Sequence, residues 1–494
     1  MDFFVYNTLT REKEKFEPFF NKEKDYVAIY TCGPTVYSMP HIGNLRSFVF
    51  AGLLSDVIRN VLGYKVLHTI NITDVGHLTD DADSGEDKLE KAATKQGKTA
   101  WDIASYYEGV FKDIIKKLHL NFDNFPRATD YIQQQIEIIQ QLEDQGLVYK
   151  IEGDGIYLDT SKVDDYGKLI GPNRDKFFEG LRDGARVDVG GKKNPTDFAL
   201  WKFSPSGEKR HMEWDSPWGV GFPGWHIECS AMSKCTLGKN IDIHTGGTDH
   251  IQTHHTNEIV QSEYSFADNH PWVKYWMHCS FLQLKNGKIS KSAGDTLSLP
   301  ELENKGFESE DFRYFLLSGH YRSFLDFDWS FLYQSKQTRH NLAKKLSLFK
   351  HIRTVNSSGL TYSELEKKLD TKDAKDFLRE LSGSILDDLN TPSLLAAINK
   401  YIGSANYEML MVLHWFDKNV LKINVFDLAI SILDKKVSLK VPDYIKQMAH
   451  ERFRYKQEGN YKKADEIRDK INEQGYMIVD KPNGYDVQHK SLEV

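Results

Sequence analysis

The sequence predicts an α/β protein: a doubly wound parallel sheet with an inserted domain, followed by a helical bundle and a small C-terminal domain. Three observations lead there. Near the N-terminus, DYVAIYTC, GNLRSFVFAGLLSDVIRN and YKVLHTINIT follow one another as a β-branched and aromatic run, a segment with apolar residues at helical spacing, and a second buried run. Residues 121–224 break that rhythm, which returns at NIDIHTGG. From Ser330 onward the periodicity is almost wholly helical.

Taken in order, the first strand covers residues 25–32 and stops at Gly33-Pro34, so it delivers Cys32 to a loop. The helix over 43–60 and the strand beginning at Tyr64 complete a βαβ unit, whose ligands belong beyond the carboxyl ends of its strands. The stretch 121–224 carries a helix at YIQQQIEIIQQLEDQG, a hairpin at GDGIYLDTSK and a tract rich in Gly, Asp and Lys, and reads as an insertion. Sheet pattern is expected again at WHIECS and NIDIHTGG, and a helix at HHTNEIVQSEYS. The bundle includes QTRHNLAKKLSLFKHIRTV, AKDFLRELSGSILDDLN and PSLLAAINKYIGSANYEMLMVLHWF; the last segment opens with a charged helix near Val441 and ends in a hairpin, GYMIVDKPNGYDV. The expected domains are therefore 1–120 with 225–270, the insertion 121–224, a stem at 271–329, the bundle at 330–440 and the C-terminal domain at 441–494.

Composition narrows the function classes. A chain of 494 residues is long enough for about three domains, and its 24 Tyr and 28 Phe can bury enough surface to exclude disorder throughout. The start MDFFVYNTLTREKEKFE meets charge early, and no run of about 18 apolar residues occurs, so a secreted or membrane-spanning protein is not expected. Four cysteines, Cys32, Cys229, Cys235 and Cys279, are too few for a disulfide framework and read as reduced, cytoplasmic thiols. A net charge of -7 argues against a generic DNA coater while leaving room for a local nucleic-acid patch.

Two strings carry phosphate chemistry. Pro40-His41-Ile42-Gly43-Asn44 opens a helix after a strand, where free N–H groups and the helix dipole favour an anion and His41 can donate to a phosphate oxygen; alone it reads equally as a Gly-containing turn. Lys288-Ile289-Ser290-Lys291-Ser292, flanked by Gly287 and Gly294, places two lysines and two hydroxyls on one loop, suited to a triphosphate and to the charge of a departing pyrophosphate; alone it reads as a solvated basic turn. In this order the two resemble the HIGH and KMSKS signatures of class I aminoacyl-tRNA synthetases, with Asn44 for the last His and Ile289 for Met.

A third constellation is metal-like. His254 and Glu258 are four residues apart and project from one helix face; Cys229 and Cys32 complete a set of two thiolates, an imidazole and a carboxylate that favours Zn2+ over Mg2+ or Ca2+. Each residue taken singly reads more readily as a buried thiol or a satisfied histidine, and His244, His250 and His255 crowd the same segment, leaving the ligating nitrogens open. Asp249, after two glycines, suits a ribose hydroxyl or a helix cap, and Thr73 and Asp74 sit at the same sheet edge.

The strings TCGPTVYSMPHIGN, NITDV, GWHIECSAMS, HHTNEI, KISKS, FLLSGHYRS and DDLNTP, in this order, resemble the cysteinyl-tRNA synthetases from Val27 to the C-terminus. The resemblance implies that the sheet is a Rossmann-like catalytic domain, that the insertion is a connective domain, and that 441–494 binds the anticodon. It implies one Zn2+ on Cys32, Cys229, His254 and Glu258, binding the thiolate of substrate L-cysteine, with Trp225 and Thr73 beside the amino acid. It places ATP, with Mg2+, against His41, Gly43, Asn44, Asp249 and Lys291, and names His41, Asn44, Lys288 and Lys291 as catalytic. The implied reaction is cysteinyl-adenylate formation and transfer to tRNA(Cys) by a cytoplasmic monomer. Since serine would forfeit the metal–sulfur bond, no editing site is required.

The chain departs from the family at three places. HTGGTDHIQTHHTNE puts Thr256 where a glutamate is common, NITD continues into the longer VGHLTDDADSGEDKLEK, and Val487 stands where a tryptophan is frequent. A basic helix is read from Arg339 to Arg353, with Lys344, Lys345 and Lys350 opposite Leu342, Leu346 and Phe349, either as a solvated face or as a tRNA contact; RFRYKQEGNYKKADEIRDK is read the same way. Competing functions are a ligase that transfers the activated cysteine to a small amine, a zinc hydrolase built on His254 and Glu258, and a structural zinc module.

Overall fold

A computed structural model describes residues 1–19, 24–75, 87–184, 191–205, 207, 210–266, 271–284, 297–438, 441–481 and 484–490. The chain opens with a hairpin of β1 (Phe4–Asn7) and β2 (Glu12–Lys15). Strand β3 (Val27–Thr31) is buried at every residue and leads, through the loop that starts at Cys32, into α1 (Ile42–Asp56). Strand β4 (Val66–Ile70) follows, then α2 (Lys88–Gln96), α3 (Ala100–Lys117) and α4 (Ile132–Asp144). The expected βαβ unit is thus present, with β3 and β4 parallel and Val27 opposite Val66.

The insertion forms an antiparallel sheet in the order of its strands, β5 (Val148–Ile151), β6 (Gly155–Leu158), β7 (Phe198–Phe203) and β8 (Gly221–Pro223), with α5 (Arg174–Gly184) between β6 and β7. The chain returns to the parallel sheet through α6 (Trp225–Leu237), β9 (Ile241–Gly247), α7 (His254–Ser265) and β10 (Val273–Cys279). Sheet order is β10-β9-β3-β4, parallel throughout. Two expectations are corrected here. WHIECS is helical, the start of α6; residues 226–233 are all buried, and a helix covered all round leaves no polar stripe by which to tell it from a buried strand. The boundary at 270/271 also cuts the sheet, because β10, its edge strand, lies beyond it.

That edge is closed by the N-terminal hairpin, which the sequence reading had passed over. Thr8 N–H donates to Trp276 O at 2.7 Å, and Asn7 accepts from Trp276 N–H at 3.0 Å while donating to Lys274 O at 3.0 Å. After β10, β11 (Leu282–Leu284) pairs in parallel with β12 (Leu325–Phe327), and α8 (Leu299–Asn304) and α9 (Ser309–Leu317) lie between them in sequence. Helices α10 (Trp329–Leu346), α11 (Tyr362–Lys367), α12 (Lys372–Leu386), α13 (Thr391–Tyr401), α14 (Tyr407–Phe416) and α15 (Val425–Ser438) make up the helical region.

The chain divides into two compact units, Met1–Arg339 with Val355–Asn424, and His340–Thr354 with Val425–Val494. Helices α11 to α14 therefore group with the sheet, while residues 340–354 and α15 group with the C-terminal segment. Within the first unit Asp388 is a hub, accepting from Tyr6 N–H at 2.9 Å, Tyr321 Oη at 2.6 Å and Arg322 Nε at 2.7 Å. The second unit contains α16 (Asp443–Gln457), α17 (Tyr461–Glu473) and the hairpin β13 (Tyr476–Lys481) to β14 (Gly484–His489) around a core of Ile445, Ala449, Ile471 and Tyr476. No described helix is long and apolar enough to cross a membrane.

Candidate active site and metal centre

The carboxyl ends of β3 and β9 and the first turns of α1, α6 and α7 enclose a cleft of about 630 Å3. Its lining includes Cys32, His41, Gly43, Asn44, Thr73, Trp225, Cys229, Asp249 and His254, so residues as far apart as 32 and 254 in sequence share one cavity. Lys288 and Lys291 lie outside the described residues.

The floor holds the metal-like set. Ligand atoms of Cys32, Cys229, His254 and Glu258 lie within 4.8 Å of one another, all four residues buried, as donors around one ion with bonds of about 2.0–2.3 Å must be. Glu258 receives His254 Nε2 at 2.6 Å and His244 Nε2 at 2.5 Å, one on each carboxylate oxygen. Burial opposes ionisation of Glu258, yet the two imidazoles hold it well below the usual carboxylate range. Burial likewise works against the His254 imidazolium, but Glu258 and Cys229 carry its pKa up to about 10. Burial drives the Cys32 thiol up, whereas hydrogen bonds from Cys32 and His254 outweigh burial at Cys229 and bring it down to about 6. These neighbours favour the thiolate at Cys229 over that at Cys32.

Cys32, His244, His255 and Glu258 also lie within 4.8 Å of one another. Access separates the two sets: Cys32, Cys229 and His254 line the cleft, while His244 and His255 do not. His244 instead stacks on Trp276, with centroids 4.7 Å apart, and orients Glu258; His255 bonds His278 at 2.7 Å, which in turn bonds Thr8 Oγ1 at 2.7 Å. The chemistry of the first set, two soft sulfurs with nitrogen and oxygen, fits Zn2+. Trp225 packs its ring centroid 4.3 Å from that of His254 and lines the cleft beside it.

Backbone chemistry explains the glycines. A Cβ on Gly33 would stand 1.8 Å from Asn71 O; its N–H donates to Asn71 Oδ1 at 2.8 Å, and Asn71 holds Thr73 Oγ1 at 3.1 Å. A Cβ on Gly246 would meet His250 and His255 at 2.6 Å, and one on Gly247 would meet Asp249 Oδ1 at 2.2 Å. Asp249 lines the cleft with its side chain 56% exposed and does not cap α7, whose N-cap is Thr253. Asp74, by contrast, is turned away: Thr129 donates to it through N–H at 3.0 Å and Oγ1 at 2.6 Å, and burial lifts its pKa to about 6. His41 is the N-cap of α1, its Nδ1 accepting from Gly43 N–H at 3.0 Å. Burial keeps its ring neutral, which leaves the proton on Nε2.

Residues 18–337 match the model of the tRNA synthetases class I (C) catalytic domain. The chain is 41% identical over 492 residues to the cysteine–tRNA ligase of Treponema denticola, covering 96% of this chain and 97% of that one. The cysteine–tRNA ligase 1 of Burkholderia lata is also 41% identical, over 488 residues, covering 97% of this chain and 95% of its own. The chain belongs to the cysteinyl-tRNA synthetases. A methionyl-tRNA synthetase of Mycobacterium tuberculosis bound by methionyl-adenylate shares the fold, with a TM-score of 0.53 at 15% identity over 82% of this chain and 90% of that chain. The likeness to the cysteinyl-tRNA synthetases runs through the helical region and C-terminal domain, for which a ligase acting on a small amine has no use. Their common glutamate is Thr256 here, and its hydroxyl donates to Ile251 O at 2.7 Å rather than facing the donor set.

Sequence reasoning missed Asn71, His226 and Arg46. His226 Nδ1 lies 2.9 Å from His254 Nδ1 and stays neutral through burial, so it orients a proposed ligand from behind. Only its place inside WHIECS, one residue after Trp225, pointed to it.

Proposed function

We propose that this chain activates L-cysteine with ATP and ligates it to tRNA(Cys), with Zn2+ selecting the substrate thiol. A Zn2+ on Cys32, Cys229, His254 and Glu258 would bind sulfur as thiolate and reject the hydroxyl of serine. The observation that carries this reading is the donor set on the floor of the cleft that also holds the start of α1. A cysteine seated there directs its carboxylate toward the His41 side.

A cysteine carboxylate oxygen attacks the α-phosphorus of ATP, pyrophosphate leaves, and the terminal ribose hydroxyl of tRNA then displaces AMP from the carbonyl. No protein nucleophile takes part. His41, neutral with its proton on Nε2, donates to a phosphate oxygen while Nδ1 keeps the helix start in place. Asn44, exposed at the same turn, adds a donor, and Asp249 receives a ribose hydroxyl. Lys288 and Lys291 supply positive charge to the departing pyrophosphate with its Mg2+. Thr73 and Trp225 wall the amino acid. The domain from 441 to 494 binds the anticodon of the tRNA.

Charging of unfractionated tRNA with labelled cysteine, and with labelled serine in parallel, tests this. Cysteine-only charging is expected. Charging by serine at a comparable rate would overturn the thiol selection, and absence of charging would overturn the ligase.

A further inference from the structure

Two aromatic rings stand in solvent beside the cleft, and the chemistry above uses neither. Phe281, just after β10, lines the cleft with 44% of its surface exposed. Phe324, just before β12, is 62% exposed and lines a second groove of about 610 Å3. The rings are near parallel, 14° apart in plane, with centroids separated by 6.5 Å. A single exposed aromatic needs no explanation, but a matched pair at the junction of two cavities contributes little to the core.

The backbone beneath the pair is fixed. Leu325 N–H donates to Phe281 O at 3.2 Å, and β11 continues in register with β12. Arg46, in the second turn of α1 and 3% exposed, donates through Nη1 to Ser280 O at 2.9 Å and Phe281 O at 2.6 Å, and through Nη2 to His320 O at 3.0 Å and Ser323 O at 2.7 Å. A buried guanidinium thus ties Phe281 and the residue before Phe324 to the helix capped by His41. Rings held this way lose little freedom on meeting a ligand.

We propose that Phe281 and Phe324 form a stacking platform for the unpaired bases at the 3′ end of the acceptor tRNA, with Arg46 as the positioning residue beneath it. The proposal rests on the tRNA-ligase reading. Every base has a π-face, so aromatic rings hold single-stranded nucleic acid whatever its sequence. The terminal ribose has to reach the cleft, and Phe281 belongs to the wall of that cleft. The groove past Phe324 continues the path with Gln334, Ser335, Thr338 and Asn399, which offer hydrogen bonds to a further nucleotide.

The test uses the full-length enzyme with Phe324→Leu, which keeps apolar bulk without a π-face, and Phe324→Tyr, which keeps the ring. Three quantities are read: cysteine-dependent pyrophosphate exchange without tRNA, KM for tRNA in charging, and the fluorescence of tRNA carrying 2-aminopurine at its 3′ terminus. Phe324→Leu should raise KM about ten-fold and abolish the stacking quench, with exchange within two-fold of the parent; Phe324→Tyr should restore both. An unchanged KM and quench in Phe324→Leu overturns the platform, as does a parallel fall in exchange and charging, and a change in oligomeric state with unchanged KM overturns it in favour of self-association. Should Phe324→Leu fail to fold, Phe281→Leu carries the same KM and quench tests. A parent enzyme that exchanges pyrophosphate with cysteine yet charges no tRNA removes the ligase reading and the platform together.

Discussion

Gly33 is the residue at which the cleft tolerates least. An alanine Cβ there would press to 1.8 Å from the carbonyl oxygen of Asn71, a backbone atom that cannot rotate away. Gly33→Ala should cost about 3 kcal/mol of stability, the upper range for overpacking, and displace Asn71 and with it Thr73. Denaturant unfolding measures the first and KM for cysteine the second; a variant with parental values for both would show that the loop yields. At Cys229 the expected effect is on selectivity. Cys229→Ser exchanges a soft donor for a hard one, so zinc content should fall together with the preference for cysteine, by about a hundred-fold or more in the kcat/KM ratio over serine. Metal analysis of the purified protein reads the first independently of activity, and full zinc loading with intact discrimination would refute the role. His244, His250 and His255 show where reading residues ran out: the sequence displayed a crowd of imidazoles, but only the fold tells that His250 lines the cleft, that His244 braces the Glu258 carboxylate and that His255 bonds His278.

Among the elements, β4 carries a built-in acid sensitivity. His68 is fully buried with Nε2 2.8 Å from Thr31 Oγ1 and, among the described residues, no hydrogen-bond partner on Nδ1, and burial depresses its pKa from 6.5 to about 3. The unfolded chain takes up this proton near pH 6.5 and the folded chain only near 3, so stability present above 6.5 is lost as pH falls through that window, to about 5 kcal/mol. Replacing His68 by Gln should flatten the fall in denaturant midpoint between pH 6.5 and 4; an unchanged profile would place the sensitivity elsewhere. Helix α1 sets a second expectation. A lysine at 46 is a single point charge and cannot span carbonyls of residues 280, 281, 320 and 323, so Arg46→Lys should slow pyrophosphate exchange more than it weakens cysteine binding. Equal losses in both would mean that the clamp is not specific to the chemistry. An element with one buried face was legible from its period, as in α4, and the fully buried β3 from its short β-branched and aromatic run ending at Gly33-Pro34, whereas the first turns of α6 were read as sheet because they are buried on all sides, and the hairpin β1–β2 was lost among charges.

For the whole molecule, order along the chain was legible because insertion and helical region change composition, but the division at residue 425 was not, since helices on both sides share one periodicity. The basic face read from Arg339 to Arg353 keeps Lys344, Lys345, Lys350 and Arg353 exposed but loses its first member. Helix α10 ends at Leu346, and Arg339 is a buried tie to Glu308, Asp311 and Ile423 O, not a contact for RNA. Val487 packs against the small core around Ile445 and Tyr476, so it is part of the framework of the C-terminal domain. Within that domain α16 offers a polyanion Lys446, His450 and Arg454, which are spaced by four and line a shallow groove. Lys446 pairs with Asp443 at 2.8 Å, and Arg454 reaches Glu451 and Glu458 only at 4.0 and 3.8 Å, exposed pairs that a phosphate can replace at small cost. The double change Lys446→Glu with Arg454→Glu should raise KM for tRNA about ten-fold and make it less sensitive to salt, because fewer counterions are displaced, while pyrophosphate exchange stays at the parental rate. Charging kinetics at two salt concentrations decide it: a parental KM with a parental salt slope would take α16 out of the tRNA path.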